Sequence, residues 1–204
     1  MEVKIMTEKM RNRKFLTLFA FAMFVLYNSC GGAPLNPYAP TYVGQIFYLC
    51  CNMYAPSPAF HDANYQYPGK FIPLGTQVRI ENLTDTAVVF TNLQSGLRYT
   101  WMKRYARVPI VSLLQVWFVK EDPKQIVDTF EPNIRSAVYA GKVFQGMTKA
   151  QVIRALGFPP QHKTPDTSMD IWTYWSGVKP YTIRFQNGIA VEITTPQIGM
   201  QKIR

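Results

Sequence analysis

The chain has 204 residues, 48% of them hydrophobic and 17% charged, with a formal net charge of +10. That length bounds it to one domain or two small ones. The basic excess favours anionic partners, while the lack of any run of five basic residues beyond the first thirty argues against nucleic acid.

Lys4, Lys9, Arg11, Arg13 and Lys14 form a positive leader, and the apolar run Phe15 to Leu26 follows it. This run is shorter than the roughly 18–20 residues that span a bilayer and has the length of a signal-peptide core. Ser29-Cys30-Gly31 comes next. A cysteine just past such a core resembles the lipidation site of bacterial lipoproteins, and Ser29 and Gly31 fit that pattern. Tyr27 stands where leucine is usual. Ser29 and Gly31 also make the small-x-small site of an ordinary cleaved signal. Residues 1–30 are therefore read as a signal peptide with a lipobox-like Cys30, leaving lipidation, plain secretion and an uncleaved anchor as alternatives. After cleavage at Cys30 the remaining chain carries 17 basic against 10 acidic residues, a balance of +7. Phospholipid head groups, lipopolysaccharide or acidic proteins suit that surface.

Residues 31–41 read as a tether, because three prolines and two glycines oppose regular structure. Residues 42–122 carry strand signals. Tyr42 to Leu49 is aromatic and β-branched, Thr76 to Ile80 alternates, and Ala87 to Phe90 and Leu97 to Met102 follow turn-like segments. These predict a β-meander that, with the first segment, could close into a small SH3-like barrel. Between them, residues 52–69 read as a long loop, unusual enough in length to be either a binding element or a misread. Adjacent Cys50 and Cys51 would point to opposite faces of a strand and bridge only through an awkward ring. Small buried hydrophobes are the expectation, an exposed thiol pairing with another chain the sharper alternative. Ser112 to Lys120 suits a helix with Leu113, Leu114 and Trp117 on one face, and Asp122-Pro123 then breaks the chain.

Residues 123–204 read as an α+β module. Glu131-Pro132 resembles a helix start, and Ile134, Ala137 and Val138 form its apolar stripe up to Gly141. In Gly146 to Gly157, Thr148 and Gln151 make a capping box, Met147 and Val152 a hydrophobic staple, and Gly157 a left-handed C-terminal residue before Pro159-Pro160. Three strands are predicted next, Ile171 to Trp175, Tyr181 to Phe185 and Ile189 to Ile193. The fold class is α+β: two helices and a three-stranded antiparallel sheet, preceded by the mostly-β domain. For the last hairpin, a three-residue loop Gln186-Asn187-Gly188 with a G1 bulge is predicted, placing Phe185 opposite Ile189 and Ile183 opposite Val191.

The run Gly146-Met147-Thr148, then Gln151-Val152, Leu156-Gly157 and proline, a Trp/Tyr strand and a Phe…Asn-Gly hairpin resembles the BamE (SmpA/OmlA) lipoprotein family. More distantly, it resembles the fold of the β-lactamase inhibitor protein. The resemblance spans about 141–194. It implies a helix-helix-three-strand module facing the periplasm on an outer-membrane lipid anchor, acting as an accessory subunit of a β-barrel assembly machine. Only Cys30 carries over as a functional position. The 42–104 region and the long 159–170 connection depart from the short family members.

With Ile171, Tyr181, Ile183, Phe185, Ile189, Val191 and Ile193 assigned to the helices, the other sheet face would carry Trp172, Tyr174, Arg184 and Glu192. Trp172, Tyr174 and Arg184 are then candidate contacts to an envelope protein. Packing on the first domain is the alternative for that face. His61 and His162 sit beside proline-rich loops where exposed histidines are common, and His61-Asp62 with Cys51 has no specific spacing. No nucleophile, phosphate-loop or metal-ligand motif stands out, so neither an enzyme, a cofactor nor a metal is expected. The function classes left are an accessory subunit of an envelope assembly, or a cell-wall glycan- or peptide-binding lipoprotein using the first domain. The intact mass of membrane-extracted protein is expected to lack the leader through Ser29 and to carry acyl chains on Cys30. A full-length, unmodified mass would contradict that expectation.

Overall fold

The computed structural model describes residues 35–67 and 70–194; the leader, Cys30 and residues 31–34 lie outside them. The second half of the expected tether is docked rather than free. Asn36 donates its backbone N–H to the Leu83 carbonyl at 3.0 Å and its amide to Asp85 at 2.6 Å. A short helix α1 (Ala39–Tyr42) follows, entered through proline at its first turn.

Six strands make the first sheet: β1 (Ile46–Leu49), β3 (Ala59–His61), β5 (Gln77–Leu83), β6 (Ala87–Asn92), β7 (Arg98–Met102) and β8 (Phe118–Val119). Their order is β3-β7-β6-β5-β1-β8, antiparallel except where β3 runs parallel to β7. Within β5, Val78, Ile80 and Leu83 all point inward although Ile80 and Leu83 are three apart. A bulge at Glu81 makes this possible: Ile80 pairs with Phe90 and Leu83 with Val88. Helix α2 (Ile110–Trp117) supplies Ile110, Leu113, Leu114 and Trp117 to the core under this sheet.

The segment read as one long loop is instead a folded strap. It contains β3 and also β2 (Met53–Tyr54), which pairs with β4 (Phe71–Ile72). Cys50 and Cys51 are not on a strand but on the bend after β1, and both are buried. An exposed thiol is thereby ruled out, because neither sulfur reaches the surface.

Past the short helix α3 (Lys124–Val127) come α4 (Pro132–Tyr139) and α5 (Lys149–Leu156). Thr148 and Gln151 form the capping box: the Gln151 N–H donates to Thr148 Oγ1 at 3.2 Å, and the Thr148 N–H to Gln151 Oε1 at 2.8 Å. A helix of this length does not persist alone. Here its first turn is pinned to a hairpin, with Lys149 N–H donating to Gly188 O and Gly146 N–H to Ala190 O. Gly157 ends the helix at φ 78°, ψ −179°, not in the left-handed helical region but in one almost reserved for glycine.

The last described residues form β9 (Ile171–Ser176), β10 (Lys179–Gln186) and β11 (Ile189–Thr194), an antiparallel sheet of order β11-β10-β9. The predicted register is corrected. Gln186 faces Ile189 across a two-residue Asn187-Gly188 turn, with φ of 51° and 77°. The bulge lies inside β11 at Val191, so Phe185 pairs with Ala190, Arg184 with Glu192 and Ile183 with Ile193. The conflict between apolar faces is thus resolved in the strand and not in the turn.

Two cores result. The first lies under the six-stranded sheet; the second holds Val138, Met147, Val152, Leu156, Trp172, Tyr174, Ile183 and Phe185. They exchange residues across the expected break at Pro123: Leu74 is buried in the second core, and Phe158 packs on the first.

The strap binds the two together through the carbonyls that helices leave unpaired at their C-termini. The Asn52 amide donates to Val138 O of α4 at 2.8 Å and to Ala155 O of α5 at 2.9 Å, and its Oδ1 accepts the Leu74 N–H at 2.9 Å. Asn64, itself at φ 50°, donates to Leu156 O at 2.6 Å and accepts the Tyr54 N–H at 2.7 Å. Tyr174 Oη donates to Gly157 O at 3.0 Å. Asn52→Ala would strand the Ala155 carbonyl and the Leu74 N–H in a site of zero exposure, while Val138 O would keep the Gly141 N–H at 3.1 Å. At about 1–3 kcal/mol for each buried unsatisfied group, a loss of at least about 2 kcal/mol in unfolding free energy is expected by denaturant titration. A loss below about 1 kcal/mol would contradict this role for Asn52.

Candidate functional site

Trp172 and Tyr174 are 0% and 1% exposed, so the expected aromatic interface does not exist as an outer face. The two-residue turn Gly177-Val178 sets the phase: Ser176 faces Lys179, hence Tyr174 faces Tyr181 and Trp172 faces Ile183. Both rings enter the second core, where Trp172 lies 4.6 Å from Phe185, centroid to centroid. Arg184 alone of the three is exposed, paired with Glu192 at 2.9 Å. A surface pair of this kind adds little stability. Ile171, assigned to the core by sequence, is 51% exposed.

Asp62, Cys51 and His61 make no thiol site. The Asp62 carboxylate accepts backbone N–H groups of Arg104, Tyr105 and Ala106, which fixes the turn after β7. Cys51 Sγ lies against Cys50 Sγ inside the first core. His61 Nδ1 accepts the Ala63 N–H at 3.3 Å.

The structure brings together residues that sequence spacing left scattered. Five half-buried rings close a circuit at the junction of the two sheets. His61 meets Tyr105 edge-on at 5.3 Å, and Tyr105 lies 4.5 Å from His162. His162 is 5.2 Å from Trp175, Trp175 is 5.7 Å from Tyr65, and Tyr65 returns to His61 at 5.2 Å. The Arg104 guanidinium sits over Tyr105 at 5.4 Å. The two histidines are therefore not freely exposed loop residues, because each is stacked within this circuit.

Beside the circuit a cleft of about 320 Å³ opens between α2 and the segment after α5. Leu113, Val116 and Trp117 form one wall, Phe158 and Pro159 the other, with Gln161, Asp166 and Thr167 at its polar edge. Gln161 Oε1 accepts the Arg107 N–H at 2.9 Å, tying the two walls at one end. Val116 is 43% exposed at the cleft. An apolar concavity of this size with a few polar groups accepts a bulky side chain or a small ligand. The one signal available in sequence was Val116, an apolar residue off the Leu113–Trp117 stripe of its helix.

No model of a known protein family matches the chain, and no curated protein sequence or solved structure does so either.

Burial lowers the affinity of His61 and His162 for a proton. Asp62 opposes this at both rings, while Arg104 and His162 reinforce it at His61 and Lys163 at His162. A histidine whose folded pKa is depressed is neutral in both states above the ordinary value near 6.5 and costs nothing there. Below that value the unfolded chain takes up more protons, so stability falls as pH drops. The melting temperature is expected to decline below about pH 6.5, and the decline to shrink in a His61→Gln/His162→Gln variant. An identical pH profile for the variant would contradict the assignment.

Proposed function

We propose that the chain is a non-enzymatic envelope lipoprotein, anchored through Cys30 in the outer membrane and facing the periplasm, that acts as an accessory subunit of an outer-membrane assembly or other envelope complex. Its C-terminal helix-helix-three-strand portion is read as a BamE-like module, and the six-stranded region as an added domain of SH3-like character. The leader, the lipobox-like Cys30 and the Gly146 to Gly157 motif support this reading.

The observation that carries a binding role is the apolar cleft between α2 and Phe158-Pro159. A concavity with Trp117 and Phe158 in its walls, walled by both parts of the fold, is built to seat one apolar anchor of a protein partner. Such anchors dominate interface energetics. The half-exposed rings of Tyr65, Tyr105 and Trp175 near Arg104 favour a second reading, a cell-wall glycan or peptide stacked on the aromatic circuit.

Val116→Glu places a charge in the cleft from a residue exposed enough to be replaced without unfolding the helix. Affinity for a complex recovered by mild membrane solubilisation is expected to fall at least about tenfold, with the melting temperature unchanged. Undiminished association would remove the cleft from the account. Retention on purified peptidoglycan that Val116→Glu leaves intact, and Trp175→Ala abolishes, would favour the second reading.

A further inference from the structure

We propose that Cys50 and Cys51 form a vicinal disulfide, which fixes the bend that carries the chain from the first core to the second. One obstacle to such a bond, besides the small ring it closes, is that neighbouring side chains on an extended chain point to opposite faces. That obstacle is absent here. β1 ends at Leu49, the backbone bends at Cys50 and Cys51, and β2 begins at Met53. The bend turns both side chains to one side, where the Sγ atoms meet at 2.6 Å, well inside the contact distance of two unbonded sulfurs. Both residues are buried, at 2% and 0% exposure, so the pair is enclosed by the first core.

The flanking backbone is held as firmly. Cys50 donates its N–H to Trp117 O at 2.9 Å, and Arg154 Nη1 donates to Cys50 O at 2.6 Å. One residue on, the Asn52 N–H donates to Arg154 O at 3.2 Å. The sulfur pair therefore sits between a strand of the first sheet and the asparagine that serves the ends of α4 and α5. A bridge between neighbours encloses no loop, so it does little to restrict the unfolded chain. Its effect is local: the ring holds the bend in the shape that delivers Asn52.

The chemistry balances as ordinary thiol–disulfide exchange. Two S–H bonds are lost and one S–S bond forms. The two protons and two electrons pass to a disulfide oxidant, glutathione disulfide or an exported oxidoreductase, whose S–S bond breaks to give two thiols. In the folded chain, burial pushes the Cys51 thiol well up, which withholds the thiolate that exchange requires. Burial of both sulfurs also shields the closed bond from external thiols. In the cell its formation rests on the export reading, since an oxidising compartment supplies the oxidant.

The test is thiol trapping on the full chain purified from cells that export it, denatured in excess iodoacetamide with or without prior reduction. The fragment holding Cys50 and Cys51 is expected to stay unlabelled and two hydrogens lighter until reduced. It is then expected to take up two alkyl groups. Reductant without denaturant is expected to leave the bond intact. Labelling of both cysteines without reduction, or a bridge from either to another cysteine, would overturn the proposal. If the intact mass shows the leader retained, export has failed and the chain is refolded with glutathione disulfide. The Cys50–Cys51 bond then forms, or the proposal falls.

Discussion

The structure depends on how the last carbonyls of two short helices are satisfied. α4 and α5 each end inside the protein, where an unpaired carbonyl cannot turn to water. Two of those carbonyls, Ala155 and Leu156, accept from the side-chain amides of Asn52 and Asn64, and Val138 O takes a bond from Asn52 beside the one from the Gly141 N–H. Those asparagines belong to the strap between the first sheet's strands. The helices of the second core are thus completed by residues of the first, and neither core presents a finished surface without the other.

Other features follow from that constraint. Glycine stands at the end of both helices because the strap approaches so closely. A Cβ at Gly157 would collide with Asn64 and with Trp117 of α2, and one at Gly141 would meet the Tyr54 hydroxyl at 2.5 Å. Tyr54 Oη donates to Gly141 O at 3.2 Å, and burial pushes its pKa up to about 12, so the phenol remains a donor over the physiological range. The aromatic circuit and the apolar cleft occupy the outer side of the same junction. A partner seated there would contact both halves of the molecule at once.

Local chemistry was legible in the sequence wherever it was written in neighbouring residues. The Thr148–Gln151 box, the Pro132 helix start and the alternation of β5 each rest on spacings of two to four. Register was harder, because a β-bulge shifts the face of every residue beyond it. Glu81 and Val191 carry no marking that distinguishes them from ordinary strand residues, yet each moves three-residue spacings onto one face. Trp172 and Tyr174 were misplaced for a related reason. Ile171-Trp172-Thr173-Tyr174-Trp175 is apolar enough on both sides to allow either phase, and only the Gly177-Val178 turn decides it. The joint itself was illegible. Asn52 and Asn64 look like loop polars, and their partners lie 86 and 92 residues away.

Native-state hydrogen exchange in rising denaturant tests the interdependence of the two cores most directly. If the asparagine joint makes them one cooperative unit, the slowest amides of β6 and of β10 converge on the same free energy and the same denaturant dependence. Exchange of β9–β11 through an opening that leaves β5–β7 protected would show two independent cores, and the joint would then be a contact rather than the basis of the fold.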